Sequence, residues 1–359
     1  MPEERGFGKI MAWIGIAAAL ISFGTAVYEL LHAQGELRER RRVVAEQMFS
    51  GQTEQAAGYY PAAWDSFQKA ADTAATDGTI AKLLGGLSNE RQAARTAQEN
   101  LAMQWLRNGR ATDGQTFAEL ADKLVGPLAA GMSSSTGARQ ADLQAHLGWA
   151  YFLKYRSGDR DVMPDVAYRK AVAIDATNPY ANVFWAHWIL WSQHSLPEAR
   201  ERFTAALATN RARADVRHFQ LAALANLRSD DAEAEWLRTL EDMREHGEPL
   251  DDTAKNDLYG RYYFALNDSE TRARMLAAIP MDKQLELQRT LIEWADLEPY
   301  KKQTVKAVRA LTLEASSNRE AALTAWKELL AETGSEPSST LAARARIEIK
   351  RLERKPAKK

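Results

Sequence analysis

Two short segments share a spacing that limits the folds open to this chain. In GYYPAAWDSFQKAA, which also carries Gly58, Ala63 is followed four residues later by Phe67 and three after that by Ala70. LPEARERFTAAL repeats the spacing with Ala199, Phe203 and Ala206. Ala322, Trp326 and Leu329 repeat it again with a larger last residue. Offsets of three and four lie on one face of an α-helix. A small, large, small face lets a second helix approach closely at two points and receive a ring between them.

The helices that should precede such faces are also visible. HLGWAYFLKY carries Leu147, Gly148 and Tyr151, and LYGRYYFAL echoes it with Tyr259, Gly260 and Tyr263. A glycine inside a helix costs about 1 kcal/mol against alanine, so its reuse beside the same residue types suggests close helix contact. Ala, Leu, Glu and Arg are abundant and strand-favouring runs are scarce, a bias that is informative over long windows. The periodicity predicts helices near 36–56, 61–75, 79–107, 115–130, 139–156, 164–175, 180–193, 197–209 and 213–228. Others are predicted near 231–246, 251–266, 269–278, 281–295, 299–315, 319–332 and 337–354. The last is charged on much of its surface, as suits the free end of a stacked array.

From Ile10 to Tyr28 no residue is charged. As a helix this stretch would extend about 28 Å, close to the hydrocarbon thickness of a bilayer. Trp13 and Tyr28 stand near the two expected interfaces, where amphipathic rings are favoured. The expectation is a transmembrane helix over 10–31, after a short tail 1–9 and before a basic juxtamembrane helical linker 32–42. A cleaved signal peptide is the competing reading, with Gly24 and Ala26 as a small-residue cleavage site. Arg38, Arg40, Arg41 and Arg42 outnumber Arg5 and Lys9, which favours a single-pass inner-membrane protein with its large domain in the cytoplasm. A periplasmic or extracellular domain is the alternative. The small faces Ala18, Ser22, Ala26 and Gly15, Ala19 would allow self-association of the span into a homo-oligomer.

The stretch AYRKAVAIDATNPYANVFWAHWIL resembles the junction of two tetratricopeptide repeats. Tyr168 and Ala171 match second-helix positions of that family, and Phe203 and Ala206 match them again 35 residues later. Trp185, Ala186 and Ile189 fill first-helix positions between them, and Pro179 lies in the linking turn. Pro164 stands where the family has alanine, and SGDRDVMPD lengthens one turn. Clean motifs are missing from 78–140 and mostly from 230–300. The resemblance implies an all-α helix-hairpin solenoid over 43–354, a tetratricopeptide-like superhelix, followed by a basic tail 355–359. It further implies that first helices line a groove for a partner peptide or helix. Mapping that register places Asp142, Trp149, Phe152, Tyr180, His187, Trp191, Arg261 and Phe264 towards the groove, although several of these rings would serve equally in packing between hairpins.

The chemistry available is narrow. There is no cysteine, which removes disulfides, thiolate metal sites and cysteine nucleophiles. A net charge of -1 argues against nucleic acid, whose binders carry a basic excess. His187 and His194 share a helical face but lie about 10 Å apart along the axis, too far to ligate one metal. Asp159, Asp161 and Asp165 lack the spacing and the glycine of a calcium loop. No HExxH, phosphate-loop, dinucleotide or nucleophile-elbow motif occurs. The expectation is therefore an interaction module without enzyme activity, cofactor or metal. It would be a membrane-anchored scaffold, adaptor or assembly factor with membrane-associated protein partners. A structural subunit of a larger membrane complex, or a helical enzyme with an unrecognised site, are the alternatives.

Overall fold

A computed structural model describes residues 4–75, 84–109, 115–227, 229–334 and 340–354, with side chains from Ala18 onward. Among the described residues there are sixteen α-helices and no strand. They are α1 Glu4–Ala56, α2 Tyr60–Thr73, α3 Ser88–Asn108, α4 Phe117–Ser134, α5 Gly137–Arg156 and α6 Pro164–Ile174. Next come α7 Pro179–Gln193, α8 Leu196–Leu207, α9 Arg213–Asn226, α10 Asp230–Glu245 and α11 Asp252–Asn267. The last are α12 Ser269–Ala278, α13 Met281–Glu293, α14 Pro299–Ala315, α15 Arg319–Thr333 and α16 Thr340–Glu353. The chain forms two compact units, Met1–Ala181 and Asn182–Lys359.

The helix starts follow from local chemistry. Prolines stand in the first turn of α2, α6, α8 and α14, where a missing N–H costs nothing. Thr116 and Glu119 form a reciprocal capping box on α4, and Ser229, Asp251 and Asn318 cap α10, α11 and α15. Each such cap contributes about 1 kcal/mol. Just before α3 the chain turns at Gly85 and Gly86, which both take positive φ, 90° and 53°. The predicted positions 79–83, 110–114, 228, 335–339 and 355–359, the basic tail included, lie outside the described residues.

In the first unit α1 packs on α2, α2 on α3, α3 on α4, α4 on α5 and α5 on α6, while α1 and α5 also reach α3. Each helix thus touches its chain neighbour, and the alternate helices α1, α3 and α5 also touch one another in turn. In the second unit α8, α9 and α10 pack in sequence, as do α13 to α16, where α14 also reaches α16. Between them the short α12 packs beside both α10 and α11, α13 reaches back to α10, and α14 reaches back to α11. The packing is consistent with a helical solenoid.

The small, large, small faces lie in the interior. Ala63, Phe67 and Ala70 have no exposure, and Ala199, Phe203 and Ala206 have 2% or less. Tyr168, Ala171 and Leu147 are buried, while Tyr151 and Trp185 are half-buried. A Cβ added at Gly148 would stand 2.5 Å from the Tyr168 ring, so α5 and α6 meet where the glycine leaves room for the aromatic. Gly51 of α1 receives Phe67 of α2 in the same way. Gly260 has nothing within 4 Å of such a Cβ, and the close contact suggested by its flanking tyrosines is absent. Gly58 is a turn residue at φ 80° with open space beside it, rather than a packing position.

The expected membrane span requires correction. No helix among the described residues is long and apolar enough to cross a membrane. The residues of the uncharged run with described side chains are Ala18–Tyr28. They belong to a helix that continues without a break through the charged residues to Ala56. The single-pass membrane localisation is overturned, and with it the lipid contact through 10–28, the membrane-associated partners and the self-association of the span. Trp13 lies outside the described side chains, and Tyr28 is exposed.

Candidate protein-binding surface

The eight groove residues expected from the repeat register divide between the two units. In the first, Asp142, Trp149 and Phe152 ride on α5, and Tyr180 opens α7. Asn178 donates to the Asp142 carboxylate at 2.7 Å, and His146 Nδ1 donates to the Asp142 carbonyl at 2.7 Å. This fixes the imidazole with Nε2 as acceptor, 2.9 Å from the Arg107 guanidinium. Tyr180 covers the pair, its ring 4.7 Å from His146 and 4.9 Å from Arg107. Burial, and then the neighbouring Arg107 charge, push the His146 pKa down to about 3, against the pull of the Asp142 carbonyl. The imidazole is neutral, and this cluster is a structural clasp. Trp149 and Phe152 are buried with ring centres 4.9 Å apart, and the Trp149 indole N–H donates to the Leu106 carbonyl at 3.3 Å. Neither ring forms open surface.

In the second unit His187 is buried. Trp191 is 37% exposed and stacks on buried Trp188 at 5.6 Å. Trp185 is covered by the Arg202 guanidinium at 3.8 Å. Arg261 lies flat on the buried Trp236 ring at 3.9 Å, 3.8 Å from Glu233. Burial holds its pKa below the ordinary value, against the pull of Glu233 and Asp257. Arg261 therefore packs within the unit, whereas Phe264 is 66% exposed.

Phe264 is one end of a surface that the register did not disclose. Tyr263, half exposed, meets Phe264 edge-on at 5.8 Å and Tyr259 at 6.3 Å. The Lys301 ammonium bridges Tyr259 at 5.4 Å and Tyr300 at 5.9 Å, and Tyr300 is 58% exposed. Helices α11 and α14, distant in sequence but packed together, thus present a continuous row of four rings and one ammonium. The sequence signal for Tyr300 was only a tyrosine after the helix-starting Pro299. The packing of α11 on α14 joins it to the others.

One group of metal-ligand types also forms in the second unit. Asp242, His246 and Glu248 bring ligand atoms within 4.8 Å of one another. Arginines occupy the carboxylates. Buried Arg217 binds Asp242 closely and reaches Glu248 at 3.1 Å, and Arg213 holds Glu248 at 2.7 Å. Burial alone would raise the Glu248 carboxyl, but the hydrogen bonds and charges of Arg217 and Arg213 hold it below its ordinary value. The cluster is a salt-bridge network joining α9 to the end of α10. Elsewhere Asp159 accepts from the Asp161 N–H and pairs with Lys154, and Asp165 pairs with Arg169.

No protein-family profile and no curated protein matches the chain. Among solved structures it is similar to one described as "The hypoxic regulator of sterol synthesis Nro1 is a nuclear import adaptor". The identity is 13% over 93% of this chain and 99% of that one, with a TM-score of 0.32. A score this low leaves the likeness at helical content.

Proposed function

We propose that this chain is a protein-binding helical scaffold without catalytic activity, and that a partner docks on the aromatic row of α11 and α14. The observation that carries the reading is the contiguous exposure of Phe264, Tyr263 and Tyr300 around Lys301. Large exposed apolar patches mark interaction sites on folded proteins, and aromatic residues are enriched among interface anchors. Rings bring large contact area with few rotamers to immobilise. The tetratricopeptide assignment over 43–354 is part of the proposal. It is supported by the matching glycine and ring contacts of Gly51 with Phe67 and Gly148 with Tyr168.

Site-specific photo-crosslinking in the full chain tests the reading. A photoreactive residue at 264 or 300 should yield discrete protein adducts in native extract. The same residue at exposed position 347 of α16 should yield none, and Tyr263→Ala should weaken the adducts from 264 about tenfold. Adducts that are identical from all three positions, or untouched by Tyr263→Ala, would remove the row as the docking surface.

A further inference from the structure

A second surface, independent of the aromatic row, lies in the first unit. A cleft of about 450 Å³ opens between α2, α3 and α4. Small residues of α4, Gly126, Pro127 and Ala130, form one wall, and Ala71 and Asp72 of α2 form the other. Arg91, Gln92 and Arg95 of α3 line it and also line an adjoining cleft of about 360 Å³ that leads to Gly85 and Gly86.

The charges of this surface are unequally satisfied. Glu90 is neutralised by Arg41 at 3.1 Å, and buried Glu99 is bound closely by Arg139. Asp72 accepts from Gln68 at 3.0 Å, and Gln68 accepts in turn from buried Gln98 at 2.9 Å. Arg91 and Arg95 are exposed and make no ion pair with any described residue. Two guanidinium groups without an acidic partner thus line an open cleft with Asp72, a carboxylate that Gln68 hydrogen-bonds but no basic side chain neutralises.

We propose that this cleft binds an extended acidic segment of a partner protein, with carboxylates at alternate residues held by Arg91 and Arg95. One helical turn separates the two arginines, placing their Cβ atoms about 6 Å apart. Alternate side chains of an extended peptide project to the same side about 6.8 Å apart, so a Glu-x-Glu spacing matches the pair, and each guanidinium can take its carboxylate bidentately. The side-chain amides of Gln92 and Gln68 line the cleft and can both donate to and accept from a peptide backbone. Asp72 selects against a dense polyanion such as nucleic acid, because a continuous line of phosphates would have to pass this carboxylate.

Fluorescence anisotropy with the full chain and a labelled dodecapeptide of alternating Glu and Gly tests the proposal. Binding should weaken as salt rises. An isomer with its glutamates in adjacent pairs should bind about threefold more weakly. Arg91→Ala with Arg95→Ala should lower affinity at least about tenfold, and the lysine pair should recover part of it. Asp72→Asn should raise affinity about threefold, a reading that remains available if the alanine pair loses the helical circular dichroism spectrum. Absent binding, or binding unchanged in these variants, overturns the proposal. So does full displacement by an equal concentration of inorganic phosphate, or tighter arginine-dependent binding of a single-stranded oligonucleotide.

Discussion

At Gly148 two residues divide one volume. A methyl group there would overlap the Tyr168 ring, whose burial forbids an outward swing. Overpacking of this kind costs about 1–3 kcal/mol, more than the roughly 1 kcal/mol gained in helix propensity. Gly148→Ala should therefore lower the denaturant midpoint. Gly260→Ala, with open space at the same site, should raise it, by up to about 1 kcal/mol. Equal effects from the two substitutions would show that α5 and α6 do not meet at Gly148. His146 makes a second prediction. Its folded pKa, about 3, lies below the ordinary 6.5, so the unfolded chain takes up a proton first as pH falls. The folded state is favoured above pH 6.5 and loses stability below it, with a limiting slope of about 1.4 kcal/mol per pH unit. Between pH 6.5 and 5, above the main carboxylate range, the loss should total about 1–2 kcal/mol. His146→Gln should flatten the profile in urea titrations across that window.

Whole elements are held by buried charge as well as by rings. Arg217 on α9 is 3% exposed and gathers Glu248 and Asp242 from the end of α10 and its following turn, while donating to Gln220 at 3.1 Å. Removing Arg217 leaves Glu248 to Arg213 alone and frees Asp242, which is 46% exposed, so the cost should fall at about 3 kcal/mol, the low end for a broken buried pair. Arg217→Ala should be destabilising by that order in equilibrium unfolding. Arg238→Ala removes an exposed arginine from Glu235, which keeps Arg200 at 2.9 Å, and should cost under about 1 kcal/mol. A comparable effect from both would place the arginine network outside the packing of α9 and α10. The long α1 shows the other side of element-level logic. From Leu37 onward it buries Leu37 and Val44 against Ala70, Ala71, Leu87 and Ala94. Leu20, Ile21, Phe23 and Tyr28 in its earlier turns are exposed.

Across the molecule, helices pack on near neighbours in the chain within each unit. Stability in such an array is a sum of local interfaces, so damage should stay local. Hydrogen exchange of Gly148→Ala should show lost protection in α5, α6 and the helices packed on them, while α14, α15 and α16 keep theirs. Uniform loss over the whole chain would mean a single cooperative core instead. Much of this architecture was legible in advance, because apolar residues at three- and four-residue offsets make helices and prolines and polar caps mark where they start. The helices expected from 36 onward correspond in order to the sixteen described, but the helix expected over 10–31 and the first of them form one continuous α1. The surface was not legible in the same way. The register assigned Trp149, Phe152 and His187 to an open groove, yet all three are buried, since position on a helix does not say how closely the next helix will approach.

Composition and periodicity alone determined that the described residues are helical and that the chain is without cysteine chemistry, because hydrogen bonding and side-chain offsets within a helix are local. Tertiary packing decided which glycines receive rings, which arginines are spent on internal carboxylates, and which aromatics reach solvent. Those outcomes depend on contacts between helices such as α11 and α14, separated along the chain by α12 and α13, and on volumes that only the packed neighbours define.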